Sequence, residues 1–130
     1  HTREASDWSS DVCSSDLNMS QADFDKRKTT MMGAGYTFAG VVSGVQNRYA
    51  DADRNLRAAL PLIAGNSTML SYAYYYLGLA NFQMGKLTSD KAKMGVGADF
   101  TSKAAATAGP MQGAASNNVQ VMRRELGGAR

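Results

Sequence analysis

SYAYYYLGLANFQMGK, running from Ser71 to Lys86, carries an apolar stripe that begins one residue earlier at Leu70 and continues through Ala73, Leu77, Ala80 and Met84. Steps of three and four keep these side chains on one face of a helix. Tyr72, Tyr74, Tyr75, Tyr76 and Phe82 flank the stripe, and Gly85 stands where a helix is expected to stop. Leu77-Gly78 at the middle marks a helix that a second helix approaches closely, because glycine removes the side chain that would hold the axes apart.

Outward from this stretch the chain reads as helices almost throughout, with no strand showing convincing alternation. Upstream, Gly65-Asn66-Ser67-Thr68 is a turn plus cap, and a helix from about Ala50 to Leu60 turns Ala52, Leu56, Ala59 and Ile63 inward. Asp53 and Arg57 lie four apart, in the favourable order for an exposed pair. Pro61 ends or kinks that helix, since it lacks the amide donor and disfavours helix at Leu60. Further upstream, Ser20 suits an N-cap with Asp23 in the first turn. The segment from Gln21 to Asn47 is either one helix or two with a break at Gly33-Ala34-Gly35. Asn47 ends it, because asparagine tolerates the left-handed conformation of a helix stop. Downstream, Ser89 or Asp90 caps a helix to about Thr107 with Ala92, Val96, Phe100 and Ala104 inward. Gly109-Pro110 breaks it. Met111, Ala115, Val119, Met122 and Leu126 stripe a last helix that Gly127-Gly128 closes.

Asp7 to Leu17, DWSSDVCSSDL, resembles the translation of a short-read sequencing adapter. Serine and aspartate dominate it and it has no apolar period, so residues 1–17 are expected to be a non-native, disordered leader. The natural chain is then expected to start near Asn18 with its own N-terminus missing, which leaves the compartment, cytoplasmic or periplasmic, unread. Of the 130 residues, 113 remain, enough for one small domain or a few repeats. With Arg3, Glu4, Asp7, Asp11 and Asp16 set aside, 13 basic and 7 acidic residues give a net charge of +6. Only Lys26-Arg27-Lys28 and Arg123-Arg124 cluster. A nucleic-acid surface needs a contiguous basic stripe with aromatics or a motif, so no nucleic-acid partner is expected. Cys13 and His1, the only residues of their kinds, both fall in the leader. Neither a thiolate nor an imidazole remains for covalent catalysis or metal binding.

The alternation of helices hides a recurring frame. Tyr74-x2-Leu77-Gly78 with Gly85 seven residues on resembles helix A of a tetratricopeptide repeat (TPR), whose pattern opens W-x2-L-G-x2-Y. Tyr36-x2-Ala39-Gly40 with Asn47 seven residues on repeats the frame, and Ala52-x3-Leu56-x2-Ala59 falls on the helix B positions. Residues 33–66 then form one 34-residue unit, and residues 67–110 a second with a longer helix B, ending in Phe100-x3-Ala104. The resemblance implies an all-α fold of about five helices. Antiparallel pairs would stack as a right-handed superhelix, an α-solenoid, over residues 18–126, with 111–126 as closing helix and 127–130 as tail. Asn81 stands where the family has an aromatic, and Pro61 falls early.

The same resemblance implies a non-catalytic scaffold that binds a protein or peptide segment on the concave face of its A helices. By this register that face carries Thr37 and Val41 in the first unit and Tyr72, Tyr75, Leu79 and Phe82 in the second. The Lys, Arg and Asn set with which some members clamp a C-terminal carboxylate is absent, so an apolar or proline-containing peptide suits the aromatic face better. The competing reading of the tyrosines is packing against a neighbouring helix with hydroxyls at solvent. No enzyme activity, cofactor or metal is expected. Asp51 and Asp53 lie on different sides of their helix, and Gly95-Val96-Gly97 with Thr101-Ser102-Lys103 lacks the order of a phosphate loop. Ala58 to Gly85 is uncharged and long enough to span a bilayer. Its proline, polar turn and striped rather than continuous apolarity argue against insertion. An exposed repeat end would allow homo-oligomers. The alternative is a helical accessory region of a larger protein whose N-terminal part, catalytic or membrane-anchored, is missing.

Overall fold

The computed structural model describes residues 20–128, all of its regular structure helical. The expected leader at 1–17 and the last two residues of the tail lie outside the described residues. Five α-helices follow one another: α1 (Gln21–Val45), α2 (Tyr49–Ala59), α3 (Ser67–Thr88), α4 (Lys91–Ala105) and α5 (Gln112–Gly128), with a 3-10 turn at Leu60–Leu62 after α2.

Local chemistry sets the boundaries. Ser20 caps α1 by accepting from the Asp23 amide at 3.1 Å, Asn66 caps α3 from Met69 at 3.0 Å, and Asp90 caps α4 from Lys93 at 3.0 Å. Asn47 takes φ 62 after α1. Pro61 stops α2 at Ala59 and is taken up in the 3-10 turn. α1 is one continuous helix: Gly33 does not break it but is buried against Leu62 and Ile63.

Two sequence expectations are corrected. Gly85 does not end the aromatic helix, which runs on to Thr88 and closes at Ser89 with φ 55. Gly85 is buried instead, with the backbone of Met94 and Asp90 where its Cβ would be. Ala92 and Val96 of α4 face outward; the buried face is Gly97, Ala98, Thr101 and Ala104. α3 and α4 cross so closely, through Gly78, Gly85 and Gly97, that only small residues fit between them. An apolar stripe cannot show this, because glycine and threonine do not register as core residues.

Neighbours in sequence pack antiparallel. Gly40 of α1 meets Leu56 of α2 while Gly33 meets Ile63, and Gly78 of α3 meets Thr101 of α4 while Gly85 meets Met94. Asp99 and Arg123 pair α4 with α5 at 3.8 Å. Alternate helices run side by side in the same direction. Gly44 of α1 abuts Tyr76 of α3, and α3 meets α5 at Ser71 with Met111, at Tyr75 with Asn118 and at Lys86 with Glu125. One core joins α2 to α3 through Ala52, Leu56, Ala59, Ile63, Ala73, Leu77 and Ala80. Full burial of Leu56 and Leu77 contributes about 1.5–3 kcal/mol each. A second core gathers Phe82, Ala98 and Met122, with Met94 and Leu126 against it. The expected stripe of α5 is met at Ala115 and Met122.

Asn81, the departure from the repeat pattern, is buried and donates to Asp53 at 2.8 Å and to the Leu77 carbonyl at 2.9 Å. Asp53 also accepts from Arg57 at 2.8 Å, so the expected helical pair extends into a bridge from α2 to α3. No buried side-chain polar atom among the described residues lacks a partner. The polar groups thus cost little and fix the pairing of α2 with α3.

Candidate functional site

Between the parallel neighbours α1 and α3 lies an open groove of about 540 Å³, lined by Ala34, Thr37, Phe38 and Val41 from α1 and by Thr68, Met69 and Tyr72 from α3. Positions 34, 38 and 41 share one helical side, and 68, 69 and 72 face them from the first turns of α3. Gly40 and Gly44 bring α1 down onto Leu56 and Tyr76, which sets its inner face and leaves its flank to form the groove wall. Thr37 is buried and spends its hydroxyl on the Gly33 carbonyl at 2.7 Å, so it adds no free polar group. The wall is therefore apolar, with the Tyr72 ring at its edge.

The six residues of the expected binding face divide. Thr37, Val41 and Tyr72 come together in this groove. Tyr75 and Phe82 lie on the flank of α3 nearer the later helices, Tyr75 against α5 and Phe82 against α4 and α5. Tyr75 accepts from Asn118 at 3.1 Å, and Phe82 is buried with Ala98 and Met122. Leu79, half-buried on α3, does not line the groove. The division has a plain cause. α5 lies along α3 and covers the half of the face that Tyr75 and Phe82 would have offered, whereas the half shared with α1 stays open.

Sequence reading missed Ala34, Phe38, Thr68 and Met69. Phe38 carried a usable signal: it sits one residue beyond Thr37, yet it is an aromatic outside the α1 face that holds the small residues. Tyr75 and Tyr76 pack edge to face with centroids 5.0 Å apart. Burial first, then the neighbouring Tyr75 and Tyr72, hold the Tyr76 phenol above its ordinary value of 10.0. On the far side of α3, Tyr74 stacks on Phe100 at 6.3 Å, with the Arg57 guanidinium 5.2 Å above Phe100 and the Lys103 ammonium 5.8 Å from Tyr74. These contacts fasten α2, α3 and α4 together.

A second, more polar depression of about 430 Å³ shares Met69 with the groove and adds Lys26, Thr29, Thr30 and Asn66. This depression sets Lys26, its one charged lining residue, and two threonines beside Leu62 and Ile63, next to the groove at Met69. No three His, Cys, Asp or Glu side chains gather among the described residues, and no described helix is long and apolar enough to cross a membrane. Comparison with protein-family models, with curated proteins and with solved structures gave no match.

Proposed function

We propose that this chain is a TPR-like, non-catalytic interaction module that holds an apolar peptide segment of a protein partner between α1 and α3. The observation that carries the reading is the groove itself, apolar along its wall and open to solvent beside Tyr72. Its volume lies within the range of about 300–1,000 Å³ usual for ligand clefts. The helix order supports the stacked-pair architecture: antiparallel between neighbours and parallel between alternate helices, with the small residues of the repeat frame, Gly40 and Gly78, at the close crossings. In such a stack the A helices line one side, and α1 and α3 are the two A helices of the frame. Continued over more pairs, the same geometry is a superhelix.

A peptide seated here would bury two or three apolar side chains against Phe38, Val41 and Met69, and an acidic residue at its end would meet Lys26. Tyr72 offers a ring to the peptide and a hydroxyl to water, the amphipathic combination enriched at interfaces. The test is selection from a displayed peptide library on the full chain, followed by fluorescence anisotropy of the enriched sequences. Tyr72→Ala and Val41→Asp are expected to weaken binding at least tenfold, and Gly113→Ala, in open space on α5, is expected to leave it unchanged. Enriched peptides whose binding ignores both groove substitutions would remove the proposal.

A further inference from the structure

The outward ridge of α1 shares only Phe38 with the groove and shows a pattern of its own. Phe24, Lys28, Met31, Gly35, Phe38, Val42 and Val45 follow one another at alternating steps of four and three, the spacing of a coiled-coil seam held over three heptads. Phe24, Met31, Phe38 and Val45 are 52, 69, 73 and 65 % exposed. They lie on the side of α1 opposite Gly33, Gly40 and Gly44, which face α2, α3 and the 3-10 turn. Four large apolar side chains along a helix roughly 37 Å long form a continuous exposed patch rather than scattered singles. Gly35 adds a second oddity. Nothing of this chain lies within 4 Å of where its Cβ would be, so no contact among the described residues requires a glycine in mid-helix.

We infer that this ridge is a self-association surface on which α1 of a second copy docks antiparallel. Self-complementarity and charge select that occupant. An antiparallel register that sets Gly35 against Phe38 of the second copy gives the large ring the space the glycine leaves. The same register sets Met31 against Val42 and Lys28 against Val45, and the two-fold axis repeats each pair. The last turn of α1 has no basic residue to meet its partial negative charge, while Lys26, Arg27 and Lys28 crowd the opposite third of the helix. The carbonyls of Val42, Ser43 and Gly44 already accept from the amides of Gln46, Arg48 and Asn47, so antiparallel docking sets those cations beside the partner's C-terminal dipole end rather than beside free carbonyls. Parallel docking would stack the two basic triplets on each other instead. The surface also goes beyond the groove: Phe38 alone belongs to both, at the rim of one and the centre of the other.

The experiment is light scattering and sedimentation equilibrium on the full chain from about 1 to 200 μM, beside Met31→Glu and Val45→Lys, the second setting a cation against the partner's Lys28; neither residue lines the groove. The wild type is expected to reach a dimer, and each substitution to weaken association at least tenfold while the helical melt is preserved. Tyr72→Ala, which disables the groove, is expected to leave the dimer intact, so the two readings fail separately. Orientation is read in a Cys13→Ser background. Met31→Cys mixed with Val42→Cys is expected to give the mixed disulfide in preference to either homodisulfide. A wild type that stays monomeric throughout the range overturns the inference, as does a dimer indifferent to both Met31→Glu and Val45→Lys or a preferred Met31→Cys homodisulfide.

Discussion

Replacing Gly97 by alanine adds one methyl group to the closest crossing in the molecule. The new Cβ would lie 2.5 Å from the Phe82 amide nitrogen, 2.7 Å from the Phe82 Cβ and 2.8 Å from the Gly78 carbonyl oxygen. Two of those atoms are backbone of α3 and cannot rotate aside. Reaching ordinary contact needs a separation of α3 from α4 of nearly 1 Å, at a crossing that also holds Thr101 against Gly78. Overpacking costs about 1–3 kcal/mol where side chains can give and about 3–4 kcal/mol here, where backbone must move, and the helix preference for alanine returns about 1 kcal/mol. We expect a net loss of about 2–3 kcal/mol, a fall in Tm of about 8–12 °C for a domain of this size. Gly95→Ala supplies the internal control, two residues away on the same helix with nothing within 4 Å of its Cβ. It gains the helix preference alone and should melt about 2–4 °C above the wild type. Both are read by circular dichroism at 222 nm with a urea series on the full chain. A Gly97→Ala protein that melts with or above the wild type would refute the close crossing of α3 and α4.

Three further outcomes follow from buried polar groups. Asn81→Asp replaces the amide that donates to Asp53 with a second carboxylate at 2.8 Å, and should lose at least about 2 kcal/mol at neutral pH. The coupled pair must bind a proton more tightly folded than unfolded. The loss is therefore present above the folded-state value and shrinks as pH falls toward about 4, as urea midpoints across pH would show. Tyr76, whose phenol is raised above 10.0, contributes stability that is fully present below about pH 10 and fades as pH rises through its folded value. Alkaline melts of Tyr76→Phe should be flatter than those of the wild type above pH 10. Ser71→Ala removes the hydroxyl that accepts from the Met111 amide at 3.0 Å, at a cost of about 1 kcal/mol. Hydrogen exchange should then quicken first at the start of α5.

Much of the architecture was written in local patterns. The stripes of α2, α3 and α5, the cap at Ser20, the turn plus cap at 65–68, and the stops at Asn47 and Pro61 each rest on rules that act within a few residues. α4 was not legible in that way, because its inner face is glycine, alanine and threonine and its larger Val96 points out. Gly85 misled for a related reason: a glycine that ends a helix and a glycine that admits another helix are the same letter. The candidate groove was half legible, through Thr37, Val41 and Tyr72. The register on α3 put Tyr72, Tyr75, Leu79 and Phe82 in one row, and helix periodicity alone cannot tell which part of a row a later helix will cover. That depends on α5, forty residues away, through Ser71 with Met111 and Tyr75 with Asn118.

The groove between α1 and α3 is tested most directly by chemical-shift mapping on the isotopically labelled full chain, titrated with a peptide selected for binding. The account predicts perturbations at Thr37, Val41, Thr68, Met69 and Tyr72, saturating together at one affinity, with Tyr75, Phe82 and the residues of α5 unmoved. Perturbations centred on Tyr75, Phe82 and α5, with the α1 and α3 wall silent, would contradict it.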